Sequence, residues 1–183
     1  MQIFRSTILG FIGVILGIAA CNQKQPVFDH LDAENTELIG LGKTVYQQHC
    51  AICHGTKLEG QPNWKTLGPD GRLPAPPHDE SGHTWHHPDS YLIHVVKEGL
   101  TPGLDKPEGY QSNMPAFGKT LSDKEIVAVL SFIKSQWSPD YQEWQENANK
   151  ALKKSSNKPE EGLIKSTHND VAALRGKQTS YGK

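Results

Sequence analysis

A small all-α fold is predicted by three features of the sequence. Apolar residues recur at helical spacing in several stretches, the strongest stretch begins with a full set of helix-start residues, and nothing reads as a paired strand. The expected architecture is three to four helices with long loops wrapped around a central group. The chain has 183 residues and a formal charge of -1, a balance that gives no electrostatic basis for binding nucleic acid. Hydrophobic residues make up 36% of it, many of them in the first twenty positions, so the rest holds too little apolar material for a large side-chain core. Small domains of this kind need a disulfide, a metal or a buried cofactor to offset conformational entropy.

The N-terminus reads as an export signal over residues 1–20. Arg5 precedes an apolar run from Ile8 to Ile18, interrupted by Gly10, Gly13 and Gly17 and too short to span a bilayer comfortably. Ile18-Ala19-Ala20-Cys21 resembles a bacterial lipobox, which implies cleavage before Cys21 and lipidation of its sulfur. Buried lipid contributes about 0.8 kcal/mol per methylene, so a multiply acylated Cys21 anchors the chain to a membrane. Asn22 in the following position resembles an outer-membrane sorting signal. An ordinary signal peptide or an uncleaved anchor is the alternative. Residues 21–35 are polar, carry Pro26 and show no hydrophobic period, as expected of a lipidated tether.

The main domain is expected over residues 36–138. Leu38, Leu41 and Val45, with Ile39 and Tyr46 offset, predict a first helix from Thr36 to His49. A second runs from Pro88, tolerated in a first turn, to Glu98, with Gly99 as a left-handed cap. Ser122 and Glu125 are spaced as a capping box, and Leu121 and Ile126 as a hydrophobic staple. The helix they open buries Ile126, Val129, Leu130 and Ile133 and stops near Trp137, before Ser138-Pro139. Residues 139–183 form a polar extension, with a short helix from Asp140 to Lys154 whose Tyr141, Trp144 and Ala148 stripe packs on its own domain. The remainder is expected to be disordered.

Between the first two helices the chain is dense in turn residues, among them Gly55, Gly60, Pro62, Pro69, Pro74 and Pro76. Loops this long need something central to organise them. Cys50-Ala51-Ile52-Cys53-His54 supplies a reason. In Cys-x-x-Cys-His two thiols form thioether bonds to porphyrin vinyl groups and the adjacent imidazole reaches the iron, so one covalent haem c is expected. A thioredoxin-like pair would sit between a strand and a helix in a βαβ unit, which is missing here. Half a zinc site would want a second cysteine pair, and of three cysteines only Cys21 remains. Of two methionines one is the initiator, so Met114 is the thioether left for the sixth iron position. It lies in Asn113-Met114-Pro115-Ala116-Phe117-Gly118, a loop that proline stiffens. A gap-filling core methionine is the alternative.

From Thr36 to Trp137 the order of motifs resembles class I cytochromes c. Gly42 and Tyr46 match the Gly-x-x-x-aromatic spacing with which that family crosses its terminal helices, and Cys50 to His54, the Met114 loop and the helix after Ser122 follow in family order. The stretch Leu58 to Trp64 and the histidine-rich 76–89 look like a bacterial subgroup of small c-type cytochromes. The resemblance implies a proline carbonyl bonded to the second ring nitrogen of His54, with Pro62 as candidate and Pro69 second, and makes Trp85 a candidate donor to a haem propionate.

His78, His83, His86, His87 and His94 fall in one window, where imidazoles suit copper or zinc, although a polar loop that collects histidines is the plainer reading. The function expected is outer-sphere transfer of single electrons by a monomer in the bacterial envelope, facing the periplasm between a redox-protein donor and acceptor. The outer membrane is favoured as the site of its lipid anchor, and the chain is not itself expected to be an enzyme. The alternatives are a haem peroxidase or gas sensor in which Met114 dissociates, and a copper-handling protein that uses the histidine loop.

Overall fold

The computed structural model describes residues 28–100 and 109–156. The signal segment, Cys21 and the final part of the C-terminal extension lie outside the described residues. Helix α1 (Thr36–Val45) begins at Asn35, whose side chain accepts the Leu38 N–H at 3.0 Å and so satisfies an end-of-helix donor. At His49, where periodicity predicts an end, the chain stays helical. It widens into a π-helical turn (Tyr46–Cys50) and continues as α2 (Ala51–His54), which Gly55 stops at φ 82°. A π turn inserts a residue into the ladder and turns everything after it by about 100°. The Cys-x-x-Cys-His residues therefore face a different way around the helix than continued α1 periodicity would set.

Helix α3 (Asp89–Glu98) has Pro88 as its N-cap and Gly99 at φ 80° after its last residue, as the sequence predicts to within one position. Helix α4 (Asp123–Ser135) carries the full capping box: Ser122 Oγ accepts the Glu125 N–H at 3.3 Å, and Glu125 accepts the Ser122 N–H at 2.8 Å. Its burial extends beyond one face, because Val127, Ala128 and Ser131 are as enclosed as Ile126, Val129 and Ile133. Helix α5 (Pro139–Ser156) is slightly longer than predicted.

Helices α1 and α4 cross at Gly42. A Cβ there would sit 1.9 Å from the Ala128 carbonyl oxygen and 2.8 Å from Phe132 Cβ, so only glycine lets the backbones touch. One turn on, Tyr46 packs against Phe132 with ring centroids 5.5 Å apart.

Two boundaries move relative to the sequence reading. The last part of the expected tether is anchored at two residues: Leu31 is 1% exposed, its N–H donates to Asp89 at 3.1 Å, and the Asp32 N–H donates to Ser131 Oγ at 3.0 Å. These bonds run to side chains of α3 and α4, a kind of docking that hydrophobic period does not register. The extension is likewise docked at its start, through Tyr141 and Trp144 against Trp85 and also through polar residues. Gln145 and Asn149 are the buried positions of α5, while Trp144 is 48% exposed. Gln145 bonds the Asp89 carboxylate, Asn149 accepts the Asp89 N–H at 2.8 Å, and Glu146 pairs with the buried ammonium of Lys134.

Candidate cofactor site

The site is built where α2 meets the loop that follows it. Tyr46, 1% exposed, reaches across the π turn and donates its hydroxyl to the carbonyls of Gly55 at 2.9 Å and His54 at 3.3 Å. The Gly55 carbonyl takes the shorter of these contacts, and the His54 carbonyl also accepts the Gly60 N–H at 2.8 Å, so both end-of-helix acceptors are satisfied. Burial, with the charges of Cys50, Glu59 and Asp79 adding to it, raises the Tyr46 phenol well above its ordinary value, so it remains a donor. The loop then doubles back on itself. Gln61 N–H donates to the Ala75 carbonyl at 2.9 Å, and Leu58, in a left-handed turn at φ 68°, presents its carbonyl to the N–H groups of His78 at 2.8 Å and Asp79 at 3.2 Å. Residues 75–79 are held beneath α2 as a result.

His54 is 7% exposed, and its Nδ1 lies 2.8 Å from the Pro76 carbonyl oxygen. A carbonyl can only accept, so Nδ1 carries the proton and Nε2 keeps a free lone pair. Burial lowers the affinity of the ring for a second proton, opposed in part by the Pro76 bond, and the imidazole is neutral. The carbonyl is therefore that of Pro76, and the assignment to Pro62 or Pro69 is corrected. Pro62 and Pro69 are exposed, and the Gln61–Ala75 pairing brings Pro76 under the ring instead.

Cys50 and Cys53 are both free thiols, one half-buried and one exposed, with no disulfide between them. Burial, helped by Cys53, pushes the Cys50 thiol up to about 11. The donor set fits a covalently attached haem: two unpaired sulfurs near the surface and one neutral imidazole with a free nitrogen. Met114 is half-buried, and its N–H donates to Ser112 Oγ at 3.0 Å. The loop that carries it is fixed on both sides. Arg72 donates to the side chains of Gln111 at 3.0 Å and of Asn113, and Asn113 donates in turn to Asp70 at 3.0 Å. Downstream, the Phe117 and Gly118 N–H groups donate to the Val96 and Lys97 carbonyls at the end of α3.

Trp85 serves a different purpose from the one the sequence suggested. Its indole N–H points to the Glu80 carbonyl at 3.4 Å, and its ring lies against His86, Tyr141 and Trp144, so it seats α5 and is not aimed at a propionate. The indole beside the site is Trp137, 3% exposed, which donates to the His78 carbonyl at 2.8 Å. Sequence reasoning used Trp137 only as a helix end, and its place just before Ser138-Pro139 was the one available signal.

The histidines of the window stack mainly on neighbouring rings, and His83 also meets His87 edge-on at 5.5 Å. His83 stacks on Trp64, His86 on Trp85, His87 on Tyr91 and His78 on His54, while His94 is exposed on α3. Among the described residues no group of three or more His, Cys, Asp or Glu side chains is placed to hold a metal ion.

Comparison with known proteins gives one family. The family model described as cytochrome c matches residues 39–137. The chain is 30% identical over 106 residues to the cbb3-type cytochrome c oxidase subunit FixP of Azorhizobium caulinodans, covering 56% of this chain and 32% of that protein. It is 34% identical over 101 residues to the gluconate 2-dehydrogenase cytochrome c subunit of Pantoea cypripedii (52% and 20%), and 28% identical over 122 residues to the cbb3-type subunit CcoP of Azospirillum (64% and 36%). The chain thus spans about a third or less of the length of these relatives. No solved structure matches it.

Proposed function

Because the chain belongs to the cytochrome c family and carries its covalent haem c, we propose that it is a single-electron carrier with His54 and Met114 as axial ligands. The observation that carries this reading is the His54 imidazole, neutral and held at Nδ1 by Pro76 with Nε2 free, one residue after Cys53. When bound, the group supplies one-electron chemistry at iron, and a histidine–methionine pair raises its potential relative to two imidazoles. Cys50 and Cys53 fix the group by two thioether bonds. His54 and Met114 would hold the iron in both oxidation states, so the chain would have little to reorganise and no substrate to admit. Proline stiffens the backbone at both ligand positions: Pro76 carries the carbonyl bonded to His54, and Pro115 follows Met114.

The partners in this reading are a redox-protein donor and a redox-protein acceptor. The relatives support it, since each bears the name of a subunit of an oxidase or a dehydrogenase. Residues 1–21 support export to the periplasmic side of a bacterial envelope and lipid attachment at Cys21. Among the described residues no helix is long and apolar enough to cross a membrane.

The test is a pyridine haemochrome and visible spectrum of protein matured with a cytochrome c assembly system, beside Met114→His. A c-type haemochrome, with a near-infrared sulfur-to-iron band that the variant lacks, is the expected result. Covalent haem without that band in the parent would replace Met114 by an open or bis-histidine site and shift the reading towards catalysis or gas sensing.

A further inference from the structure

The ring of His78 lies nearly parallel to that of His54, with centroids 3.9 Å apart and planes inclined by 19°. The rest of His78 is pinned. Its N–H donates to the Leu58 carbonyl at 2.8 Å, and its own carbonyl accepts the indole N–H of buried Trp137 at 2.8 Å. Pro76 and Pro77 precede it directly, and Pro77 is buried. The Tyr46 ring meets His78 edge-on at 6.0 Å, and the same tyrosine holds the His54 carbonyl through its hydroxyl. His78 is therefore a rigid flat surface against one face of the imidazole.

The Pro76 carbonyl fixes the direction of His54 along its Nδ1–H bond, but one hydrogen bond leaves rotation of the ring about that direction weakly restrained. A parallel ring against the face restrains that rotation. Building on the reading of His54 as the iron ligand, we propose that His78 is a positioning residue that sets the plane of the His54 imidazole by stacking on it. Ring plane relative to the haem determines how the imidazole overlaps the iron orbitals, and groups beyond the ligands tune a metal in this way. The sequence window 75–79 then has two functions two residues apart, the Pro76 carbonyl for direction and the His78 face for rotation.

The experiment uses the full haem-loaded chain with His78→Phe, which keeps a flat face, and His78→Leu, which fills the space without one. Haem content is read by pyridine haemochrome, ring plane by the paramagnetically shifted haem methyl resonances of the ferric protein, and electronic effect by the midpoint potential. The Phe variant is expected to keep the parent order and spread of methyl shifts. The Leu variant, equally loaded with haem, is expected to reorder or compress them and to move the potential. A fully loaded Leu variant with the parent pattern overturns the positioning role, as does a Phe variant that departs from the parent as far as Leu does. A parent with no covalent haem instead overturns the His54 reading beneath it.

Discussion

Arg72 and Asp70 hold the Met114 loop from the far side of the site. The guanidinium donates to Gln111 and Asn113, and Asp70 accepts an amide proton of Asn113, so two residues just before the methionine are tied to one turn. Hydrogen bonds to a charged group contribute about 1.5–3 kcal/mol, and partial exposure reduces this. Arg72→Ala should leave haem attachment intact and let the loop open more often. Carbon monoxide affinity of the ferrous protein should rise by about tenfold, equivalent to about 1.4 kcal/mol. Unchanged affinity in a gas titration would mean that the α3 contacts of Phe117 and Gly118 hold the loop alone. Residues of this kind divide sharply in how visible they are in sequence. Cys50, Cys53 and His54 are legible because their chemistry resides in the side chains and their spacing. Pro76 was not, since its function is performed by a main-chain carbonyl that every residue possesses, and choosing it over Pro62 requires knowing that Gln61 pairs with Ala75. Trp137 and Trp85 exchanged places for a similar reason, because an indole donor is recognised in sequence but its acceptor is not.

At the scale of elements, the crossing at Gly42 couples stability to the site. α1 runs on through the π turn into the Cys-x-x-Cys-His residues, so any displacement of α1 is transmitted to His54. A methyl group on Gly42 would meet the Ala128 carbonyl oxygen at 1.9 Å, and that atom is backbone, unable to rotate away. Overpacking of this sort costs about 1–3 kcal/mol. Gly42→Ala is therefore expected to lower the denaturation midpoint of the holoprotein and to weaken the sulfur-to-iron band together, as followed by absorbance during a thermal ramp. A variant as stable as the parent would show that α1 slides without loss. The helices themselves were legible where apolar period and capping residues agree, as in α4 with Ser122 and Glu125. The π turn was not, because Tyr46 to Cys50 carry no proline or glycine to mark a widened ladder. The aromatic stripe of α5 was legible, since Tyr141 and Trp144 pack on Trp85 of the same domain, but the polar contacts beside it were not. Gln145 and Asn149 are buried by bonding the carboxylate and N–H of Asp89.

Across the whole molecule, the same few polar groups tie the chain before α1 and the helix after α4 to the haem-binding body, alongside the packing of Tyr141 and Trp144 on Trp85. Asp89 takes the Leu31 N–H and Gln145, and Lys134 reaches both the Leu31 carbonyl and Glu146. Such an attachment responds to pH where an apolar one would not. Burial tends to raise the Glu146 carboxyl, but the hydrogen bond and charge of Lys134 outweigh it and hold the group below its ordinary value of 4.5. Folded Glu146 thus binds a proton less readily than the unfolded chain does, so its contribution is fully present above 4.5 and is lost as pH falls through its lower folded value. α5 should then leave the body in acid before the core melts. Its half-exposed Trp144, packed against Trp85 in the folded state, reports that departure as a change in emission while the haem absorption still holds. Glu146→Gln removes the titrating group, so its emission should be flat through that window and resemble the acid form of the parent. If emission and haem absorption instead change together at one pH, in parent and variant alike, α5 is an integral part of the cooperative core and Glu146 does not govern its docking.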